Sequence, residues 1–163
     1  MFDFAPGAGA HKPEIYRELV AAALALTDAE PDAVANMANC AALIATFLSD
    51  LNWAGFYRVI PGNPDELVLG PFIGKPACIR ITIGQGVCGT AAATRQTQCV
   101  ADVHAFPGHI ACDADSRSEL VVPVIRDGQV VAVIDLDSPL PARFDTDDAA
   151  GIEALAAAIA GRI

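Results

Sequence analysis

The sequence has few basic residues. Ten lysines and arginines against twenty aspartates and glutamates give a formal net charge of −10 over 163 residues. Nucleic acids and anionic membrane surfaces bind proteins that present an excess of positive charge, so neither is expected as a partner. The chain also lacks an apolar run long enough to cross a membrane, and its first residues lack the pattern of a signal peptide. We therefore expect a cytoplasmic protein.

The sequence also lacks a C-x-x-C pair, and its cysteines are odd in number: Cys40, Cys78, Cys88, Cys99 and Cys112. In a reducing compartment such cysteines do not form a structural disulfide framework. One alternative is zinc bound by Cys78, Cys88, Cys112 and His109, but their spacing matches no common zinc motif. We expect no bound metal or cofactor, and the thiols favour redox chemistry instead.

The composition, 53% hydrophobic and only 18% charged, is typical of one globular domain. We expect that domain to span residues 1–163, with 1–12 as a flexible N-terminus. The residue pattern predicts helices at 13–26, after Pro31, from within 84–90 to about 95 and from about 147, and strands at 53–60, 66–73, 77–83, 98–101, 119–125 and 129–137. Terminal helices around an antiparallel meander predict an α+β fold, in which helices pack against a sheet.

The last two strands form a hairpin whose turn decides which side chains share a face. A two-residue Asp127-Gly128 turn would place Leu120 opposite Asp135, whereas a three-residue loop keeps acids off the apolar face. We therefore expect the three-residue loop. One face is then Leu120, Val122, Val124, Val130, Ala132, Ile134 and Leu136. On the other face Glu119 lies opposite Asp135, with Asp137 next along, so three carboxylates converge.

These carboxylates alternate with apolar residues, which predicts a half-apolar pocket able to hold an ammonium group; a solvated sheet surface is the alternative. Crowded carboxylates raise one another's pKa, so that one can donate a proton near neutral pH. On another strand Trp53 and Tyr57 share a face, with Gly55 leaving a gap between them. They are either an aromatic core pair or a wall against a methyl or sulfur-bearing side chain.

The seventeen residues 102–118 carry His104, His109 and Cys112 directly before the acid-bearing strand. Long loops in compact domains usually serve a function, and substrate can reach a thiol such as that of Cys112 in a loop of this kind. Lys75 is expected to favour ionisation of Cys78. Cys88 lies at the start of a predicted helix, whose positive end is expected to stabilise its thiolate.

Several motifs resemble those of the free methionine-R-sulfoxide reductases, which are stand-alone GAF-domain enzymes. They occur in order between about residue 50 and residue 160: Asn52-Trp-Ala-Gly-Phe-Tyr57, Leu69-Gly-Pro-Phe-Ile-Gly-Lys-Pro-Ala-Cys78, Gly86-Val-Cys-Gly-Thr90, Gly108-His-Ile-Ala-Cys-Asp113 and Ile134-Asp-Leu-Asp-Ser138. The resemblance implies a GAF-like fold, with a six-stranded antiparallel sheet flanked by N-terminal and C-terminal helices. It also implies a homodimer and recycling by thioredoxin, with NADPH and thioredoxin reductase as the electron source.

Residue roles follow from the same resemblance. Cys112 would be the nucleophile and Cys78 its resolving partner, and Cys88 would share the resolving role or replace one of the others. The acids Glu119, Asp135 and Asp137 would bind the amino group of free methionine-R-sulfoxide and protonate its sulfoxide oxygen, and Trp53 and Tyr57 would enclose its methyl end. A non-catalytic GAF sensor module that binds a small molecule is the alternative, since fold does not dictate function.

Overall fold

The computed structural model describes residues 4–108 and 113–163. Over these residues the chain forms α1 (Lys12–Leu26), α2 (Ala33–Phe47), β1 (Trp53–Ile60), β2 (Asn63–Gly74), β3 (Arg80–Thr82), α3 (Gly86–Thr94), β4 (Gln98–Val100), β5 (Ser118–Arg126), β6 (Gln129–Ser138) and α4 (Thr146–Ile159), with a 3₁₀ turn at Val103–Ala105. The predicted order of elements is confirmed. The third strand is shorter than predicted, and the second begins earlier because Pro61 and Gly62 alone make the turn from β1. None of the described helices has the length and apolar character needed to span a membrane.

The helices begin where side chains satisfy free backbone N–H groups. Asp32 accepts a 2.8 Å hydrogen bond from the backbone N–H of Ala35 at the start of α2. Asp145 caps α4 by accepting from the N–H groups of Asp147 and Asp148, and Pro13 lies in the first turn of α1. Such caps replace hydrogen bonds that the first turn of a helix cannot make, and they fix where α2 and α4 begin against the sheet.

The six strands form one antiparallel sheet in the order β3-β2-β1-β6-β5-β4, so the expected α+β architecture is confirmed. Helices α1, α2 and α4 contribute to the main core on one face, where Phe56, Leu120 and Ile134 are fully buried. A smaller apolar cluster on the opposite face includes Val87 and Ala91 of α3. We call this second face the site face, because α3 leaves part of it uncovered.

The hairpin differs from the prediction in its turn. Arg126 pairs with Gln129 across a two-residue turn, in which Asp127 and Gly128 both have positive φ (51° and 74°). This is the backbone geometry that two-residue hairpins favour, so the expected three-residue loop was wrong.

A β-bulge restores the apolar face that the two-residue turn would have spoiled. Val124 pairs with Ala132 and Ile125 with Val130, so Val131 is the extra residue. Val131 therefore packs against the main core in the place expected for Val130, which faces the other way. The turn and the bulge each shift the pairing by one residue from the one expected, so Glu119 lies opposite Asp137 rather than Asp135.

A close contact with α4 holds α1 on the main core. The α4 residue in this contact is a glycine, which has no side chain. A Cβ at Gly151 would overlap the Tyr16 ring. The Tyr16 hydroxyl donates a 2.7 Å hydrogen bond to Asp148, which is buried and also accepts from Lys12 and Arg143. The ring therefore has little room to move away from α4.

We predict that Gly151→Ala lowers the free energy of unfolding by about 1–3 kcal/mol, because overpacking outweighs the helix propensity gained. Chemical denaturation monitored by circular dichroism measures this. Gly161→Ala is the matched control, since a Cβ there meets no atom within 4 Å, and its stability should be unchanged or slightly raised. Equal effects of the two substitutions would contradict the packing argument.

Candidate functional site

A pocket of about 540 Å³, including its open mouth, lies on the site face of the sheet. Its walls come from β1, the segment 75–77, the start of α3, residues 113 and 116, and the hairpin. The polar residues that line it are Lys75, Asp113, Ser116, Glu119, Asp135 and Asp137, together with the thiol of Cys88. It therefore combines a polar floor with the aromatic side chains of Trp53 and Tyr57.

Strand register explains why these side chains meet. Asp137 of β6 pairs with Trp53 of β1 on one side and with Glu119 of β5 on the other. Asp135 lies two residues away on the same face, between Gly55 and Val121. Residues directly opposite in neighbouring strands lie side by side, so the predicted convergence of Glu119, Asp135 and Asp137 is confirmed.

Burial dominates the ionisation of all three acids. It raises the pKa of Asp135 to about 7, although hydrogen bonds from Cys88 and Glu119 act in the opposite direction. Burial also raises the pKa of Glu119 well above its usual range, and the charges of Asp135 and Asp137 raise it further. The pKa of Asp137 is raised for the same reasons, burial first and Asp135 second, despite a hydrogen bond from Ser116. Near neutral pH the group therefore holds protons, and Asp135 loses its proton most readily.

Cys88 lies over these acids rather than at a site that favours a thiolate. Its side chain is buried at the third residue of α3. Burial raises the pKa of its thiol well above the usual range, and the carboxyl groups of Asp135 and Glu119 raise it further. The expected stabilisation by the positive end of the helix does not outweigh these effects, so that expectation was wrong.

The aromatic wall contains a third ring that sequence reasoning missed. Trp53 stacks on Tyr57 with ring centroids 5.8 Å apart, and on Phe72 at 5.2 Å. A Cβ at Gly55 would overlap Phe72, its partner on β2. The gap expected at Gly55 is therefore occupied by Phe72, and the room for a ligand lies instead on the side of the acids.

The aromatic polar atoms hold the segment that contains Cys78. The indole Nε1–H of Trp53 donates to the carbonyl of Lys75 at 3.1 Å, and the hydroxyl of Tyr57 donates to the carbonyl of Cys78 at 3.1 Å. Cys78 itself is half-buried at the margin of the site-face cluster. The two aromatic residues are thus both pocket walls and anchors for a candidate redox cysteine.

Lys75 joins this segment to the residue that follows Cys112 in sequence. Its ammonium lies 3.1 Å from Asp113 Oδ1 and 2.5 Å from Asp115 Oδ2. The role expected for Lys75 beside Cys78 stays a prediction. Asn52 donates to the other oxygen of Asp113 at 3.1 Å and to Ser116 Oγ at 3.0 Å.

The described structure brings Trp53, Tyr57, Cys88, Glu119, Asp135 and Asp137 together at one pocket, with Cys78 directly beyond its 75–77 wall. Cys112 and His109 lie outside the described residues. Sequence reasoning missed Asn52, Phe72 and Ser116 as parts of the site. Asn52 could have been found from its place immediately before Trp53, whereas no sequence pattern marks Ser116 as a partner of Asp137.

Comparisons with known proteins agree with this geometry. Residues 13–163 match the family described as GAF domain. The chain is 48% identical to the free methionine-R-sulfoxide reductase of Escherichia coli over 90% of this chain and 87% of that protein. It is 44% identical to the Saccharomyces cerevisiae protein of the same name, over 90% of this chain and 84% of the relative.

A solved structure extends the similarity. The free methionine-R-sulfoxide reductase of Neisseria meningitidis, determined in complex with its substrate, superposes with a TM-score of 0.91 at 42% sequence identity. The match covers 99% of this chain and 94% of that one. The similarity therefore includes the elements that line the pocket.

The buried acids generate a pH dependence of stability. Because their pKa values are raised on folding, the folded state holds protons that the unfolded chain releases from about pH 4. The free energy of unfolding should therefore fall as pH rises from about 4 through about 7, the pKa of Asp135. Asp135→Asn should reduce this fall and raise stability at pH 7.5 by about 1–3 kcal/mol.

Urea denaturation at pH 5 and pH 7.5 measures both effects. Asp28→Asn is the control, since it removes the same charge from an exposed side chain and should leave the pH slope unchanged. A stability that rises between these pH values would show that burial does not raise the pKa values of the acids. An Asp135→Asn protein with the pH slope of the parent would show the same for Asp135.

Proposed function

The chain belongs to the GAF domain family and, within it, to the free methionine-R-sulfoxide reductases, and we propose that it reduces free L-methionine-(R)-S-oxide to methionine. The single observation that carries this proposal is the row of three buried acids beside the Trp53–Tyr57 stack. A free amino acid brings an ammonium group, for which such acids are suited, and an apolar methyl end, for which the rings are suited.

Asp135 is the acid best placed to pair with the ammonium group. Its Oδ1 atom is buried and has no hydrogen-bond partner among the described residues. It is also the acid whose pKa, about 7, leaves it most readily ionised. A buried carboxylate oxygen without a donor is unfavourable, and an incoming ammonium would supply one.

Glu119 and Asp137 are suited to hold the proton that the reaction needs. Sulfoxide sulfur is a poor electrophile until its oxygen is protonated, so a carboxyl group protonated near neutral pH is required beside the nucleophile. Both groups have a raised pKa, for which burial is the first cause. We assign proton donation to this pair.

The redox steps use the cysteines implied by the family. The thiolate of Cys112 attacks the protonated sulfoxide, the S–O bond to methionine breaks, and oxygen is left on Cys112 as a sulfenic acid. The thiol of Cys78 then displaces water from the sulfenic acid to form a disulfide. A dithiol of thioredoxin reduces that disulfide, with NADPH and thioredoxin reductase as the source of electrons. Cys88 is the alternative resolving residue. Its thiol is buried and protonated, so Cys78 is the preferred assignment.

Recognition of an ammonium also accounts for selectivity. In a peptide the amine becomes an amide, so the acids would lose a charged partner, at a cost of about 2–5 kcal/mol. We therefore propose that methionine sulfoxide within proteins is not a substrate. We further propose that the protein is a cytoplasmic homodimer that repairs oxidised free methionine.

The proposal is tested by NADPH oxidation in the presence of thioredoxin and thioredoxin reductase. Free L-methionine-R-sulfoxide, its S epimer and the N-acetylated R epimer are compared at equal concentration. We expect turnover of the free R epimer alone, because only it presents both the ammonium and the matching sulfur configuration. Binding of methionine without turnover of any of the three, by fully reduced protein, would favour the GAF sensor instead.

Cysteine variants identify the thiols in the same assay. Cys112→Ser should abolish turnover, whereas Cys78→Ser should release one equivalent of methionine and then stop. Cys99→Ser is the matched control, because Cys99 is exposed on β4 away from the pocket lining, and it should retain full activity. Continued turnover by Cys112→Ser would place the nucleophile elsewhere.

Lys75 is proposed as a positioning residue for disulfide formation, because it joins the Cys78 segment to Asp113 and Asp115. Lys75→Met should slow closure of the disulfide after a single turnover roughly two- to fivefold, which is the range that exposed ion pairs contribute. The amount of methionine released in that turnover should be unchanged. Rapid quenching with a thiol alkylating reagent measures closure.

Arg80→Gln is the control for Lys75→Met. It removes a different exposed ion pair, the 3.0 Å contact with Glu66 between β3 and β2. Disulfide closure at the parental rate in Lys75→Met, or an equal slowing in Arg80→Gln, would show that Lys75 has no specific positioning role.

A further inference from the structure

One thiol and two carboxylates in the pocket floor lie close enough together to share a single ion. Cys88 from α3, Glu119 from β5 and Asp135 from β6 each offer a donor atom, and all three atoms lie within 4.8 Å of one another. The residues are 3%, 6% and 6% exposed. The three elements that supply them pack together, so the donors are held in place by the fold rather than by a loop.

An independent feature points to a cationic ligand at this place. Asp135 Oδ1 is buried without a hydrogen-bond partner among residues 4–108 and 113–163, and Asp135 lines the pocket. Leaving such an oxygen without a donor is costly, whereas a cation would satisfy it directly.

We propose that Cys88, Glu119 and Asp135 form a binding site for a thiophilic divalent cation, represented by Zn²⁺, that inhibits the protein. One thiolate and two carboxylates are ligands that Zn²⁺ accepts, and the pocket leaves a fourth position for water. Mg²⁺ and Ca²⁺ suit this set poorly, since they prefer six or more oxygen ligands and avoid thiolate. On binding, the thiol proton of Cys88 and any proton held by the two carboxyl groups pass to solvent.

This donor set differs from the one considered from the sequence alone. That set combined Cys88 with Cys78, Cys112 and His109, whereas the observed neighbours of Cys88 are carboxylates from the hairpin. Sequence spacing cannot reveal it, because residues 88, 119 and 135 are joined only through the packing of α3 on β5 and β6.

Inhibition follows from the overlap of two cation sites. A dication on Glu119 and Asp135 would occupy the Asp135 carboxylate assigned to the substrate ammonium and the Glu119 carboxyl assigned to proton donation, so zinc and free methionine should exclude each other. This consequence rests on the proposed function. Binding of the metal itself does not.

Cobalt binding tests the site, since Co²⁺ bound to thiolate gives a charge-transfer absorption band. A Cys78→Ser/Cys112→Ser protein is used, so that the other thiols assigned to redox chemistry cannot bind the metal. We expect the band to appear on titration with Co²⁺ and to vanish when Zn²⁺ is added. In this background Cys88→Ser should abolish the band, and Asp135→Asn should weaken cobalt binding at least about tenfold. Cys99→Ser is the matched control and should leave it unchanged.

The competing outcomes are distinct. A band that persists in Cys88→Ser would overturn the site. So would the absence of any band from the Cys78→Ser/Cys112→Ser protein up to roughly 1 mM Co²⁺. Circular dichroism checks that each variant folds. Cys88→Ala and Asp135→Asn still test the site if Cys88→Ser fails to fold. Free methionine should raise the apparent Kd for cobalt, calculated from the Co²⁺ that remains free after chelation by methionine itself. Cobalt binding that methionine does not weaken would overturn the inhibitory part of the proposal, and turnover of the free R epimer by the parent protein shows separately whether the proposed function holds.

Discussion

Burial of three carboxyl groups on one face of the sheet is the constraint on which the rest of the structure depends. A buried carboxylate is costly unless it is neutralised or paired, and Glu119, Asp135 and Asp137 share a limited number of protons and hydrogen bonds. The opposite face of the sheet provides compensation, because Leu120, Ile134 and Leu136, which alternate with the acids along the same strands, are fully buried in the main core.

The pocket walls have a second task, which is to hold the segments that carry reactive cysteines. Trp53 and Tyr57 donate hydrogen bonds to backbone carbonyls of the Cys78 segment, and Lys75 of that segment reaches Asp113. Substrate contact and cysteine placement are therefore coupled through the same few residues. Substitutions in the aromatic wall should for this reason affect both binding and the redox cycle.

Much of this architecture could be predicted from the sequence, because it follows from local patterns. The convergence of the acids was predicted correctly despite the error in the turn, because the observed pairing differs from the expected one by two residues and so keeps the same side chains on each face. The turn itself could not be predicted, since the sequence gives no sign that Val131 forms a bulge that offsets the two-residue Asp127-Gly128 turn. The raised pKa of the Cys88 thiol could not be predicted from the sequence either. Its helix position suggested a thiolate, and only the packing of α3 on the hairpin shows that carboxyl groups surround it. Phe72 was missed because it fills the space at Gly55 from a neighbouring strand.

The central claim is that the acids hold protons which a bound ammonium displaces. Titration calorimetry of free methionine at pH 7, in two buffers of different ionisation enthalpy, measures the protons exchanged on binding. A positive charge beside Asp135 lowers the pKa of all three acids, so the account predicts a net release of protons into the buffer. Methionine binding without proton release, or with proton uptake, would contradict it.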